Sequence, residues 1–147
     1  MTYVNERVFS NRDAGALARL LASHRRAHAF DDDASDVLAD LMMDARFVAD
    51  DALPDDCIGL GSRVAYAEER GDTVRMVTLV APNEADPAAG RISVLSPVGL
   101  ALIGRRHGAL TEARLPNGRR LRLRVLEAAA PVPAAVDAVP EPERRVA

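Results

Sequence analysis

The chain has 147 residues, 48% of them hydrophobic, enough for one modest core with a small appended module. Aromatic residues make up 3% and tryptophan is absent, which argues against an aromatic-walled pocket for a small molecule. The formal net charge of −3 conceals a polarity: ten aspartates face one arginine between Asp31 and Asp56, whereas eleven arginines face six acids between Leu60 and Leu126.

In chain order, the first element follows Asn11 and Asp13, either of which can cap a helix by accepting from the N–H groups of its first turn. Leu17, Leu20, Leu21 and His24 then recur at helical spacing. After Asp31, Asp32, Asp33 and Ser35, a second helical stripe is formed by Val37, Leu38, Leu41, Met42, Ala45 and Val48. Neither helix can bury its stripe alone. The two are expected to pack as an antiparallel αα-hairpin, each arm about 20 to 25 Å long, spatially distinct from the rest of the chain. Residues 49–61 read as a linker, with Pro54 ending any preceding helix.

Beyond the linker the period becomes alternating. Val64 and Tyr66 lie on one strand, Glu68 to Asp72 supply a turn, and Thr73–Val80 is its partner. A polar loop leads to a short strand over 91–95. Ser96 as cap and Pro97 at the first helical position then open a helix expected to run through Arg106. On that reading Arg105 and Arg106 suit the negative end of the helix dipole, and Gly108 supplies the terminating positive φ. Two last strands flank Pro116, Asn117 and Gly118; Leu121, Leu123 and Val125 alternate there with Arg120, Arg122 and Arg124. The Ala/Pro-rich end, 128–147, lacks any period and reads as a disordered tail. The expected organisation is therefore a helical hairpin over 1–52, a sheet domain over 53–127 and the tail: an α+β fold.

The segment ISVLSPVGLALIGRRHG (92–108), with LGSRVAY (60–66), VTLVAPNEAD (77–86) and LPNGRRLRLRVLE (115–127), resembles the C-terminal domain shared by the Gre transcript-cleavage factors and the regulator of nucleoside diphosphate kinase (Rnk) family. The short helical segment before it is similar to the Rnk group and unlike the long Gre coiled coil. The resemblance implies an FKBP-like antiparallel sheet wrapped on one helix. It also implies anchoring at the rim of the RNA polymerase secondary channel, partly through Ser96 and Pro97, with Arg105 and Arg106 as further contact candidates. Three departures limit what carries over: no segment matches the acidic Gre tip motif, the helices are far shorter, and the residue before Ser96 is Leu95 where some relatives carry an acid. The Gly-Asp pair common after the Gre helix is also Gly108 and Ala109 here. The residues that stimulate cleavage therefore do not carry over.

Other residues admit two readings. Asp31, Asp32 and Asp33 at the hairpin tip could share a magnesium with a partner's groups, or simply cap the second helix in solvent. The Arg120, Arg122 and Arg124 row could grip phosphates or protect an exposed strand face, and interleaved aromatics to stack bases are lacking. His24 and His28 are spaced for a zinc pair but lack a third ligand, and His107 adds none. Cys57 cannot form an internal disulfide and has no nucleophile context, which fits a reducing cytoplasm. The GLGSR run at 59–63 precedes a strand, so it reads as a turn and not as a phosphate cradle. A prolyl isomerase reading would rest on fold analogy alone.

The expected function is a cytoplasmic, monomeric, non-enzymatic regulator that docks on RNA polymerase and competes with Gre factors. It should need no cofactor, no metal, no membrane and no sequence-specific nucleic acid contact of its own. The alternatives are a cleavage-stimulating factor using the tip aspartates, or a binding module for another partner such as nucleoside diphosphate kinase.

Overall fold

The computed structural model describes residues 7–27, 33–115 and 118–129, with side chains undescribed for 24–27 and 33. Strand β1 (Val8–Ser10) leads directly into helix α1 (Asn11–Ala27). The cap is Ser10, one residue earlier than expected: its hydroxyl accepts from the Asp13 amide at 3.0 Å, and Asp50 accepts from the Arg12 amide at 2.9 Å. Serine wins because its side chain reaches the third helical N–H, whereas Asn11 and Asp13 are already inside the first turn. The Asp13 carboxylate accepts from the Leu60 amide at 3.3 Å, tying α1 to the segment before the sheet, and burial raises its pKa.

Helix α2 (Asp33–Asp44) is followed by β2 (Arg46–Val48), which pairs with β1 in parallel, Phe9 opposite Phe47. The hydrophobic alternation in these three-residue strands is too brief to be read from sequence. A five-stranded sheet comes next, in the order β5-β4-β3-β7-β6, from β3 (Arg63–Glu68), β4 (Arg75–Val80), β5 (Arg91–Ser93), β6 (Leu110–Arg114) and β7 (Arg120–Ala129).

Three expectations about this sheet are revised. It is not wholly antiparallel, because β5 runs parallel to β4. Two 3₁₀ turns, at Pro82–Glu84 and Pro87–Ala89, carry the chain back before β5 begins. The strand read over 91–95 also stops at Ser93. Strand β7 continues to Ala129, with Ala128 and Ala129 opposite Val64 and Arg63, so the tail read from 128 begins as strand; its remainder, 130–147, lies outside the described residues. Alternation holds within β7, where Leu123 and Val125 are buried while Arg120 and Arg122 are exposed.

Helix α3 (Pro97–Leu102) lies against the sheet beside β6, and Thr111 donates its hydroxyl to the Ala101 carbonyl at 2.8 Å. The helix ends four residues short of Arg106. Gly104, at φ 79°, turns the chain out, and a Cβ there would sit 2.8 Å from the Phe9 ring. Gly108 also has positive φ, but in a later turn, so it does not terminate the helix.

The expectation of two spatially distinct pieces gives way to one shared core. Phe9, Leu17 and Leu38 belong to the same buried cluster as Ile58, Val64, Leu79, Val94, Leu102, Ile103, Leu123 and Val125. Helices of 17 and 12 residues cannot hide their apolar stripes against each other alone, and α2 also lies against α3. Sheet and helices are therefore expected to unfold together.

Candidate docking surface

The turn from β5 into α3 is held by two serines. Ser93 Oγ accepts from the Leu95 amide at 3.0 Å, and Ser96 Oγ donates to the Ser93 carbonyl at 2.7 Å while accepting from the Gly99 amide at 3.1 Å. Ser96 thus caps α3 as its sequence context indicates, and Pro97 fills the first helical position, where no N–H is needed. Gly99 lets the turn close. A Cβ on it would collide with the Ser93 carbonyl and sit 2.9 Å from the Val94 Cα.

Arg105 and Arg106 lie at the other end of α3, separated from Ser96 and Pro97 by about 9 Å of helix. They do not occupy its last turn. The backbone of 104–106 instead runs beside the segment before the sheet: Gly104 donates to the Ile58 carbonyl at 2.7 Å, and Ile58 donates to the Arg105 carbonyl at 2.9 Å. Arg106 Nε donates to Asp56 Oδ1 at 3.0 Å in a pair that is partly exposed on both sides, worth about 0 to 1 kcal/mol. Burial lowers the pKa of Arg105.

The residue that sequence reasoning missed is Arg7. Its Nη1 donates to the carbonyls of Ile103 at 2.7 Å, Leu100 at 2.9 Å and Ala101 at 3.3 Å. With the Arg105 amide on the Leu102 carbonyl at 3.0 Å, the four carbonyls from Leu100 to Ile103 all have donors. Burial, then the nearby charge of Arg105, lowers the Arg7 pKa to about 9, so the guanidinium stays positive at pH 7, at the negative end of the helix. No local motif signals this contact, because its partners are 93 to 96 residues away.

The other candidates are scattered. Asp31, Asp32 and His28 lie outside the described residues. Asp33 opens α2, but its side chain and that of His24 are not described. His107 is exposed, and among the described residues no three of His, Cys, Asp and Glu gather to hold a metal ion. Arg122 pairs with Glu69 at 3.4 Å, Arg120 with Glu112 at 3.8 Å, and Arg124 donates to the Glu69 carbonyl at 3.4 Å, an arrangement of a solvated strand face. A cleft of about 200 Å³ at the β3–β4 turn is lined by Glu68, Arg70, Gly71, Thr73 and Arg75, none of them a candidate residue.

Cys57 is 2% exposed, and its thiol contacts the Val8 carbonyl at 3.6 Å. Burial is the main reason its pKa rises to about 11. Its contribution to stability is fully present below the usual thiol pKa and is lost as pH climbs through about 11. Labelling by a thiol-directed disulfide reagent at pH 8 is expected to be slow in the native chain and fast in urea; fast native labelling would contradict the packing.

Comparison with known proteins gives a consistent picture. The family described as "Transcription elongation factor, GreA/GreB, C-term" matches residues 53–130, which include the whole of α3 and the five-stranded sheet. Transcription elongation factor GreA of Rhodospirillum rubrum is 32% identical over 111 residues, covering 74% of this chain and 71% of its own length. GreA of Desulfovibrio desulfuricans is 39% identical over 69 residues, or 47% of this chain and 43% of that protein, so the chain matches less than half the length of that relative. In three dimensions, a prokaryotic transcription elongation factor GreA/GreB from Nitrosomonas europaea superposes with a TM-score of 0.66 at 29% identity, covering 85% of this chain and 98% of the other.

Proposed function

The chain belongs to the GreA/GreB family of transcription elongation factors, and from that premise we propose that it regulates elongation by docking on RNA polymerase without chemistry of its own. The family match across the Ser96-capped helix and its sheet carries this reading. In the proposal the Ser96–Pro97 turn and the Arg105–Arg106 loop, at opposite ends of α3, grip the rim of the secondary channel. The FKBP-like half is the adhesive part. The helices α1 and α2, 17 and 12 residues long, are packed on the same core as the sheet, and their side of the molecule, where α2 carries Asp33, Asp36, Asp40 and Asp44, occludes the entrance and competes with Gre factors. At about 26 and 18 Å they have limited reach into a large partner, which favours the Rnk-like role over delivery of reactive groups. The partner would place the chain in the bacterial cytoplasm, and no described helix is long and apolar enough to cross a membrane.

Capture of core RNA polymerase by the tagged full chain tests the docking. Retention is expected, with loss in the Pro97→Ala, Arg105→Ala double variant. Absence of retention, or retention unchanged by the double substitution, counts against this surface. A transcript-cleavage assay on a backtracked complex is expected to show no stimulation; cleavage abolished by replacing Asp31, Asp32 and Asp33 with Asn would replace the docking role by the cleavage-stimulating one.

A further inference from the structure

We infer that Arg7 is the positioning residue of the docking surface: by clamping the C-terminal carbonyls of α3 it holds the Ser96–Pro97 turn and the Arg105–Arg106 loop in one arrangement, so that the N-terminal segment sets the affinity of the sheet domain for its partner. The inference rests on the proposed docking role and adds to it a residue outside the stretch matched by the family, 53–130.

A six-residue helix makes too few internal hydrogen bonds to define its own orientation. Its N-terminal end is fixed locally by Ser96 and Ser93. Its C-terminal end is fixed from far away. Arg7 takes the carbonyls of Leu100, Ala101 and Ile103, and the next residue, Val8, donates its amide to the Gly104 carbonyl at 3.0 Å. The Arg7 carbonyl in turn accepts from the Arg46 amide at 2.8 Å, so the clamp is anchored to β2. Phe9 lies where a Cβ on Gly104 would be, leaving no room for the exit of α3 to move toward β1. On the opposite side Ile58 exchanges two backbone hydrogen bonds with Gly104 and Arg105. The start of the Arg105–Arg106 loop is thereby sandwiched between β1 and the segment before the sheet, and α3 can shift only if the N-terminal strand shifts with it.

A purely structural role and a positioning role differ in what they predict for a folded variant. If Arg7 only adds stability, a variant still folded at the assay temperature binds as the wild type does. If it positions α3, the folded variant binds more weakly, and lysine, which keeps the charge but places its nitrogen one bond nearer the backbone than Nη1, restores part of the loss.

The test is titration of core RNA polymerase with the fluorescently labelled full chain, alongside Arg7→Met, Arg7→Lys and the Pro97→Ala, Arg105→Ala double variant, each checked for folding by circular dichroism. The expected result is a dissociation constant raised about tenfold in Arg7→Met and about threefold in Arg7→Lys. Folded Arg7→Met binding within about twofold of wild type, while the double variant loses binding, would overturn the positioning role and leave the docking role standing. Failure of the wild-type chain to bind would instead overturn the docking role, and this inference with it. Should Arg7→Met not fold, hydrogen exchange on the wild type decides: the amides of Val8 and Gly104 are expected to exchange more slowly on polymerase binding, and unchanged rates would refute the coupling.

Discussion

Arg7→Ala is expected to lower the free energy of unfolding by about 3 kcal/mol, among the largest effects of any single side chain here. The substitution leaves the carbonyls of Leu100, Ala101 and Ile103 without their charged donor; these residues are 8%, 3% and 0% exposed, so water cannot simply take its place. Each unsatisfied buried acceptor costs about 1 to 3 kcal/mol, but one nitrogen serves all three and its bond to Ala101 is long, so the total is well short of three full losses. Ala101 also keeps the Thr111 hydroxyl. For a chain of this size the loss corresponds to a melting temperature lower by roughly 6 to 12 °C. Urea unfolding followed by circular dichroism measures it. A change below about 1 kcal/mol would mean that the carbonyls find other partners when the guanidinium is removed.

Leu38→Ala is expected to cost about 2 to 5 kcal/mol and, more tellingly, to destabilise the sheet as much as the helices. Leu38 is 0% exposed on α2, and it sits in the same buried cluster as Leu102 of α3 and Leu123 of β7. The cavity left by the truncation therefore belongs to the core of the whole molecule. Two probes separate this from an autonomous hairpin: helical circular dichroism, and protection of the Cys57 thiol, which is buried beside β1. Both transitions should move together to lower urea. If the helical signal moved while Cys57 protection did not, the shared core would be refuted, and the helical arm could then act as a separately folding unit.

These two substitutions also mark the boundary between what local sequence reveals and what it hides. The stripe of Val37, Leu38, Leu41 and Met42 identifies α2, because a 3.6-residue period is visible within a dozen residues, but Ala45 and Val48, read on the same stripe, lie past the helix end at Asp44, Val48 in β2. What that stripe packs against is not visible. An isolated hairpin pairs the two helical stripes with each other, since nothing in either segment points to α3 or to the sheet. Cap chemistry is similarly legible at Ser96 and Pro97, where donor and acceptor lie three residues apart. It misleads at the start of α1, where Ser10, Asn11 and Asp13 all have suitable side chains and the three-residue strand β1, ending at Ser10, leaves no pattern of its own.

The candidate docking surface divides in the same way. Ser96, Pro97, Arg105 and Arg106 are visible in the sequence, but the span of the helix between them is not. Arginine near a helix C-terminus looks like dipole complementation wherever it occurs, and the sequence offers Arg105 and Arg106 for that role. In the folded chain it belongs to Arg7, whose guanidinium donates to three carbonyls at the end of α3, while Arg106 pairs with Asp56.

By itself, the sequence determined the elements whose signals are short-range: the helical stripes, the Ser-Pro helix start, the switch to alternating period, and the inward Leu123 and Val125 of the last strand. Tertiary structure alone decided the parallel pairing of β1 with β2 and of β5 with β4, the early exit of α3 at Gly104, and the clamp from Arg7. The physical reason is range. Capping and periodicity are satisfied within one or two turns of chain, whereas a parallel pair or a buried guanidinium finds its partners only after distant apolar surfaces have met, and many surfaces of similar composition could have met instead.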